Sequence, residues 1–125
     1  MSVTANPSIE TKEDIEMIKE YTLLPILLDM LTRDMEELKI YKDKIVYNQV
    51  LFYLKEVENS IYPQLHTLKI KMKKQNIKVL NTELNVLGID IEYKVRGYIH
   101  HFTMLRGLVK AELMTMLMNI QGRLR

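Results

Sequence analysis

Apolar residues recur in steps of three and four along three long stretches of the chain. In the first, Ile18, Tyr21, Pro25, Leu28, Leu31, Met35 and Leu38 share one helical face. Leu24, Leu27 and Met30 widen that stripe, which predicts a helix to about Ile40 touching more than one neighbour. Thr11 suits its N-cap, with Asp14 three residues on and Glu13 and Glu16 in the first turn, where the positive end of the helix dipole favours acids. In the second stretch, Val50, Leu54, Val57, Ile61, Leu65, Leu68 and Met72 predict a helix from about Asp43 to Lys74. Tyr41–Asp43 is then a short connection, and a short connection returns the second helix antiparallel to the first. Pro25 and Pro63 each remove one helical hydrogen bond, so a kink or break is expected at both. Lys73, Lys74, Gln75 and Asn76 should close the second helix: lysines suit its negative end, and Asn tolerates the left-handed cap.

In the third stretch, from about Ile89 to Gln121, the stripe is Ile91, Val95, Tyr98, Phe102, Leu105, Val109, Leu113, Met116 and Ile120. Gly97 and Gly107 each cost a helix about 1 kcal/mol relative to Ala, and His101-Phe102-Thr103 marks a break into two shorter helices. Residues 77–88 read two ways. Ile77, Val79, Leu84 and Val86 alternate as a short strand pair would, whereas Leu80, Leu84 and Leu87 fit a turn or two of helix. A loop with local structure is the preferred reading. The expected fold is all-α: an up-down bundle of three long helices, or four or five if broken near Pro25, Pro63 or Thr103. Residues 1–10 are expected to form a flexible N-terminal arm and residues 11–125 a single helical-bundle domain.

At 125 residues the chain fits one domain, large enough to bury a core without metal or disulfides. Zero Cys removes disulfide scaffolds, thiolate metal sites and cysteine nucleophiles. The first ten residues carry no apolar stretch, so a secretory signal is not expected. The longest apolar run, Leu23–Leu31, is interrupted by Asp29 and falls short of the roughly 20 residues of a membrane span. A cytoplasmic protein is the expectation. The net charge of +2 hides an uneven layout. Residues 1–62 hold 12 acids and 7 bases, and residues 63–125 hold 4 acids and 11 bases. Halves of opposite sign suit packing against each other or an antiparallel pair of copies.

Glu13-Asp14-Ile15, followed by Leu23-Leu24-Pro25-Ile26-Leu27-Leu28 and Arg33-Asp34, resembles the opening of the YhjD-like proteins, small helical proteins of spore-forming Bacillus-type bacteria. The stretch from Met72 to Val79 and the pair Gly97-Tyr98 are similar to that family as well. The resemblance covers most of the chain, and the Met-rich C-terminal part fits it less well. It implies a bacterial cytoplasmic or spore-associated setting and brings no catalytic residues.

The residues themselves point the same way. No Gly-rich loop, nucleophile elbow, Glu-x-x-His or His-Glu-x-x-His occurs. On a helix, Glu92 and His100 would lie two turns apart on one face, and with His66 they make the weakest reading, a metal-dependent enzyme. Neither a cofactor nor a small-molecule substrate is expected. Lys69, Lys71, Lys73, Lys74 and Lys78 are the strongest polar feature, able to meet phosphates or an acidic partner. On a helix, Lys69 and Lys73 would share one face and Lys71, Lys74 and Lys78 another. Met suits adaptable contact surfaces, so Leu105, Val109, Leu113, Met114, Met116, Leu117 and Met118 form the candidate protein interface. The first expectation is a non-enzymatic interaction or regulatory protein, acting as a homodimer or with a protein partner. The alternative is a nucleic-acid-binding accessory factor using lysines 69–78.

Overall fold

The computed structural model describes residues 10–124, so most of the expected N-terminal arm lies outside the described residues. Helix α1 spans Lys12–Leu38. It starts as its sequence dictates: the Asp14 N–H donates to Thr11 Oγ1 at 3.1 Å and the Thr11 N–H donates to Asp14 Oδ2 at 2.9 Å. This reciprocal capping box satisfies two donors that a helix start otherwise leaves unpaired. A 3₁₀ turn, Lys39–Tyr41, leads to helix α2, Ile45–Lys74. Both helices run unbroken through their prolines. The bonds lost at Pro25 and Pro63 are outweighed by the buried stripes beside them, Leu23, Leu24 and Leu27 on α1 and Ile61 and Leu68 on α2. Cross-links fix the antiparallel pairing: the Thr32 hydroxyl donates to Glu58 Oε2 at 3.1 Å, and the Gln64 amide donates to Glu20. Asn76 ends α2 in the left-handed conformation, φ 56°.

The remainder of the chain overturns the all-α bundle. Strands β1 (Ile77–Leu84), β2 (Gly88–Val95) and β3 (Tyr98–Leu105) form an antiparallel meander, ordered β1-β2-β3. Helix α3, Arg106–Arg123, follows directly. The fold is therefore α+β, a three-stranded sheet backed by three helices. The helical stripe proposed over residues 91–105 misled because residues four apart share a face in a strand as well as in a helix. Ile89 and Tyr93 decide between the two periods. Both lie off that stripe, and both are buried, Tyr93 completely, as alternation with Ile91 and Val95 requires. Leu105, on the stripe, is 61% exposed.

The turns agree with strands. Arg96 (φ 48°) and Gly97 (φ 92°) join β2 to β3, the two-residue turn with positive φ at both positions that matches the twist of a hairpin. Thr103, where a helix break was expected, lies within β3. Between β1 and β2, Asn85 Oδ1 accepts from the Leu87 and Gly88 N–H groups at 2.9 and 3.1 Å. One sheet face carries Ile77, Ile89, Ile91, Tyr93, Val95 and Met104 into the core, while the other presents Glu83, Glu92, Lys94, His101 and Thr103. Among the described residues, no helix is long and apolar enough to cross a membrane.

Candidate interaction surfaces

The candidate interface on α3 is divided by the fold. Leu113 is buried, and Val109, Met116 and Leu117 pack against the core. Leu105, Met114 (58% exposed) and Met118 face outward, joined by Leu108. The methionines thus serve two purposes: Met116 fills a gap beneath α3, while Met114 and Met118, one turn apart, form an exposed pair on it; Leu105 is the last residue of β3.

A larger apolar surface lies elsewhere, at the turn end of the α1–α2 hairpin. Ile40, Ile45 (81% exposed), Val46 and Phe52 (66% exposed) stand out from it, with Tyr41, Tyr47 and Tyr53 half-covered. The end is ordered by its own contacts. The Tyr41 and Tyr47 rings lie 5.2 Å apart, and Lys44 Nζ sits 5.5 and 5.6 Å from the two ring centres. Asn48 donates its side-chain amide to the Lys42 carbonyl at 3.2 Å. The sequence did carry a signal for this surface: Ile45 and Phe52 are apolar but fall off the α2 stripe.

The lysines are regrouped. Because Lys78 lies on β1 and not on α2, it joins Lys69 and Lys73 around one hollow, with Tyr21 and Asn76. Lys71 and Lys74 line a separate hollow that also holds Asp14 and Arg96. The expected grouping of Lys78 with Lys71 and Lys74 is thus corrected. None of the five pairs with a carboxylate among the described residues.

The histidines point apart. His100 faces inward, its Nδ1 3.0 Å from Glu10 Oε2, and its ring stacks on Tyr93 with centroids 5.5 Å apart. The Tyr93 hydroxyl donates to Glu10 Oε1 at 3.0 Å. Burial, reinforced by the Glu10 carboxylate, pushes the Tyr93 phenol far above its ordinary pKa, so it acts as a neutral donor. His101 faces outward with Nε2 2.7 Å from Glu92 Oε2. Glu92 and His100 therefore sit on opposite faces of the sheet, and the helical face proposed for them does not exist. His66 lies exposed on α2. Among the described residues, no three His, Asp or Glu side chains come close enough together to hold a metal ion.

Beside the Tyr93 group, Arg96 Nη2 meets Asp14 Oδ2 at 2.6 Å. Burial pushes the Asp14 carboxyl up, but hydrogen bonds from Arg96 and Thr11 outweigh it and hold its pKa below the usual value. Here an acid of the acidic half meets a base of the basic half.

A family model described as YhjD protein matches residues 9–124. No curated protein and no solved structure matches the chain.

Proposed function

The chain belongs to the YhjD family, and from that footing we propose that it is a non-enzymatic interaction protein that pairs with a second copy of itself through the turn end of its helical hairpin. The observation that carries this reading is the exposure of Ile40, Ile45, Val46 and Phe52 on one end of the molecule, uncovered by any element among the described residues. Exposed apolar groups gathered at one end and rimmed by charge suit a contact surface. The rim also suits self-pairing. A two-fold interface sets one patch against itself, so it must carry both signs of charge. Lys39, Lys42, Lys44 and Lys55 are interspersed here with Glu36, Glu37, Asp43 and Glu56.

The setting that accompanies this proposal is the cytoplasm of a spore-forming Bacillus-type bacterium, on the strength of the family likeness. A nucleic-acid partner is the weaker proposal, because lysines split between two hollows present no single row to a phosphate backbone. Sedimentation equilibrium tests the main reading. The native chain should sediment at twice its 14.8 kDa mass, and Ile45→Glu with Phe52→Glu should return it to one. A native chain that remains a monomer at all concentrations refutes the proposal. Separation by Met114→Lys, with the hairpin variant still paired, moves the interface to α3.

A further inference from the structure

We infer that Lys69, Lys73 and Lys78 form the head of a binding groove for an amphipathic anion, a molecule with one apolar chain and a phosphate or carboxylate end. The groove runs between α1, α2 and the outer edge of β1. Its larger part, about 550 Å³, is lined by Pro25, Ile26, Leu65, Leu80, Leu84 and Ile89, a volume within the roughly 300–1,000 Å³ common for small-ligand sites. Its smaller part, about 360 Å³, is lined by Lys69, Lys73 and Asn76, with Lys78 at its rim on the edge of β1. Tyr21, Lys69 and Val79 line both parts, so the apolar trough opens directly onto the basic hollow.

Electrostatics gives this end its sign. No Asp or Glu lines either part, and none of the three lysines forms an ion pair among the described residues. The sheet edge adds donors. The Arg96 N–H donates to the Asn76 carbonyl at 2.8 Å. Because hydrogen-bonded and non-bonded pairs alternate along an antiparallel ladder, Lys78 bonds to Lys94, and Ile77 and Val79 turn their N–H groups away from β2. Both residues line the basic hollow. The negative pole of α2 ends nearby, but the Gln75 and Asn76 N–H groups already bond to the Lys71 and Lys73 carbonyls and blunt it.

The same edge argues against a peptide adding itself as a fourth strand. The β1–β2 register shifts between Val79 and Asn81, a bulge at the middle of the edge. Bulges twist an edge away from the flat ladder that strand addition needs. A single flexible chain needs no such ladder.

Titration calorimetry of the full chain with dodecyl phosphate, kept below its micelle concentration, tests the inference. Saturable binding of one molecule per chain is expected. Inorganic phosphate and dodecyltrimethylammonium, which lack the tail or the anionic head, should bind at least tenfold more weakly. Lys73→Ser with Lys78→Ser should weaken dodecyl phosphate about tenfold, and so should Leu80→Glu. All three residues are exposed, and circular dichroism verifies that the variants keep the fold. In the native chain, the Ile77 and Val79 amide resonances should move on titration with dodecyl phosphate and stay still with dodecyltrimethylammonium. Absence of saturation overturns the inference. So does equal affinity for the cationic amphiphile, or indifference to the lysine substitutions. Binding to phosphatidylglycerol vesicles without binding of monomeric dodecyl phosphate also overturns it, placing the lysines at a membrane surface.

Discussion

Asp14 shows how one side chain can serve two levels of structure. It closes the capping box of α1 and takes the Arg96 guanidinium from the β2–β3 turn at 2.6 Å. Its pKa in the fold lies below the unfolded value, so the native state binds fewer protons there. The associated stability is complete above the unfolded carboxyl pKa, about 3.9, and is lost as pH falls through the lower native value. Asp14→Asn should therefore cost about 2 kcal/mol at neutral pH, the scale of a hydrogen bond to a charged group. The difference in urea midpoint from the native chain should shrink as pH falls below about 4. A gap that holds constant down to pH ~2 would assign the role of Asp14 to shape alone. Gly88 makes a second residue-scale test. A Cβ placed on it would lie 1.9 Å from the Met104 carbonyl oxygen, and its φ is +154°. Gly88→Ala should cost more than about 2 kcal/mol. Gly107→Ala, which meets nothing within 4 Å on α3, should instead stabilise by about 0.5–1 kcal/mol.

At the scale of elements, β1 is informative because it is an edge with only one paired side. Its Lys78 N–H should be protected from hydrogen exchange, while the Ile77 and Val79 N–H groups, directed off the sheet, should exchange at least tenfold faster by the usual contrast of bonded and free amides. Equal protection along β1 would show that a neighbour occupies the edge. The helices were legible in the sequence because each signal was redundant: a long stripe, a cap at Thr11 with Asp14, and an Asn76 stop. Residues 89–105 lacked that redundancy. Ile91, Val95, Tyr98 and Phe102 satisfy both periods, and the choice rested on Ile89, Tyr93 and the Arg96-Gly97 turn. Reading Gly97 as a tolerated helix cost, and not as the residue that makes a positive-φ hairpin turn, selected the wrong period. The surfaces were legible only in part. The lysines were visible, but their grouping depended on where the chain leaves α2. Spacing alone separated neither the buried Leu113 from the exposed Met114 nor the uncovered Phe52 from the core, since those depend on which neighbours arrive.

Across the whole molecule, burial is lopsided. On α1 the core ends at Met35, and on α2 it resumes at Val57; no residue between them is buried. The hairpin end therefore stands beyond the core, and its apolar side chains contribute little to the single folded chain. Ile40→Glu, Ile45→Glu and Phe52→Glu together should leave the monomer's stability nearly unchanged, within about 0.5 kcal/mol per site for surface positions. Association is where the cost should appear. A pair that exists only in the folded state stabilises it by mass action, so its melting temperature rises with protein concentration. The native chain should show that rise and the triple variant should not, with the two curves meeting at the dilute limit where pairs dissociate. Parallel curves at every concentration would mean the end contributes to the fold and not to pairing. Flat, superimposed curves would mean that it does neither, and the apolar end would then require a partner other than a second copy.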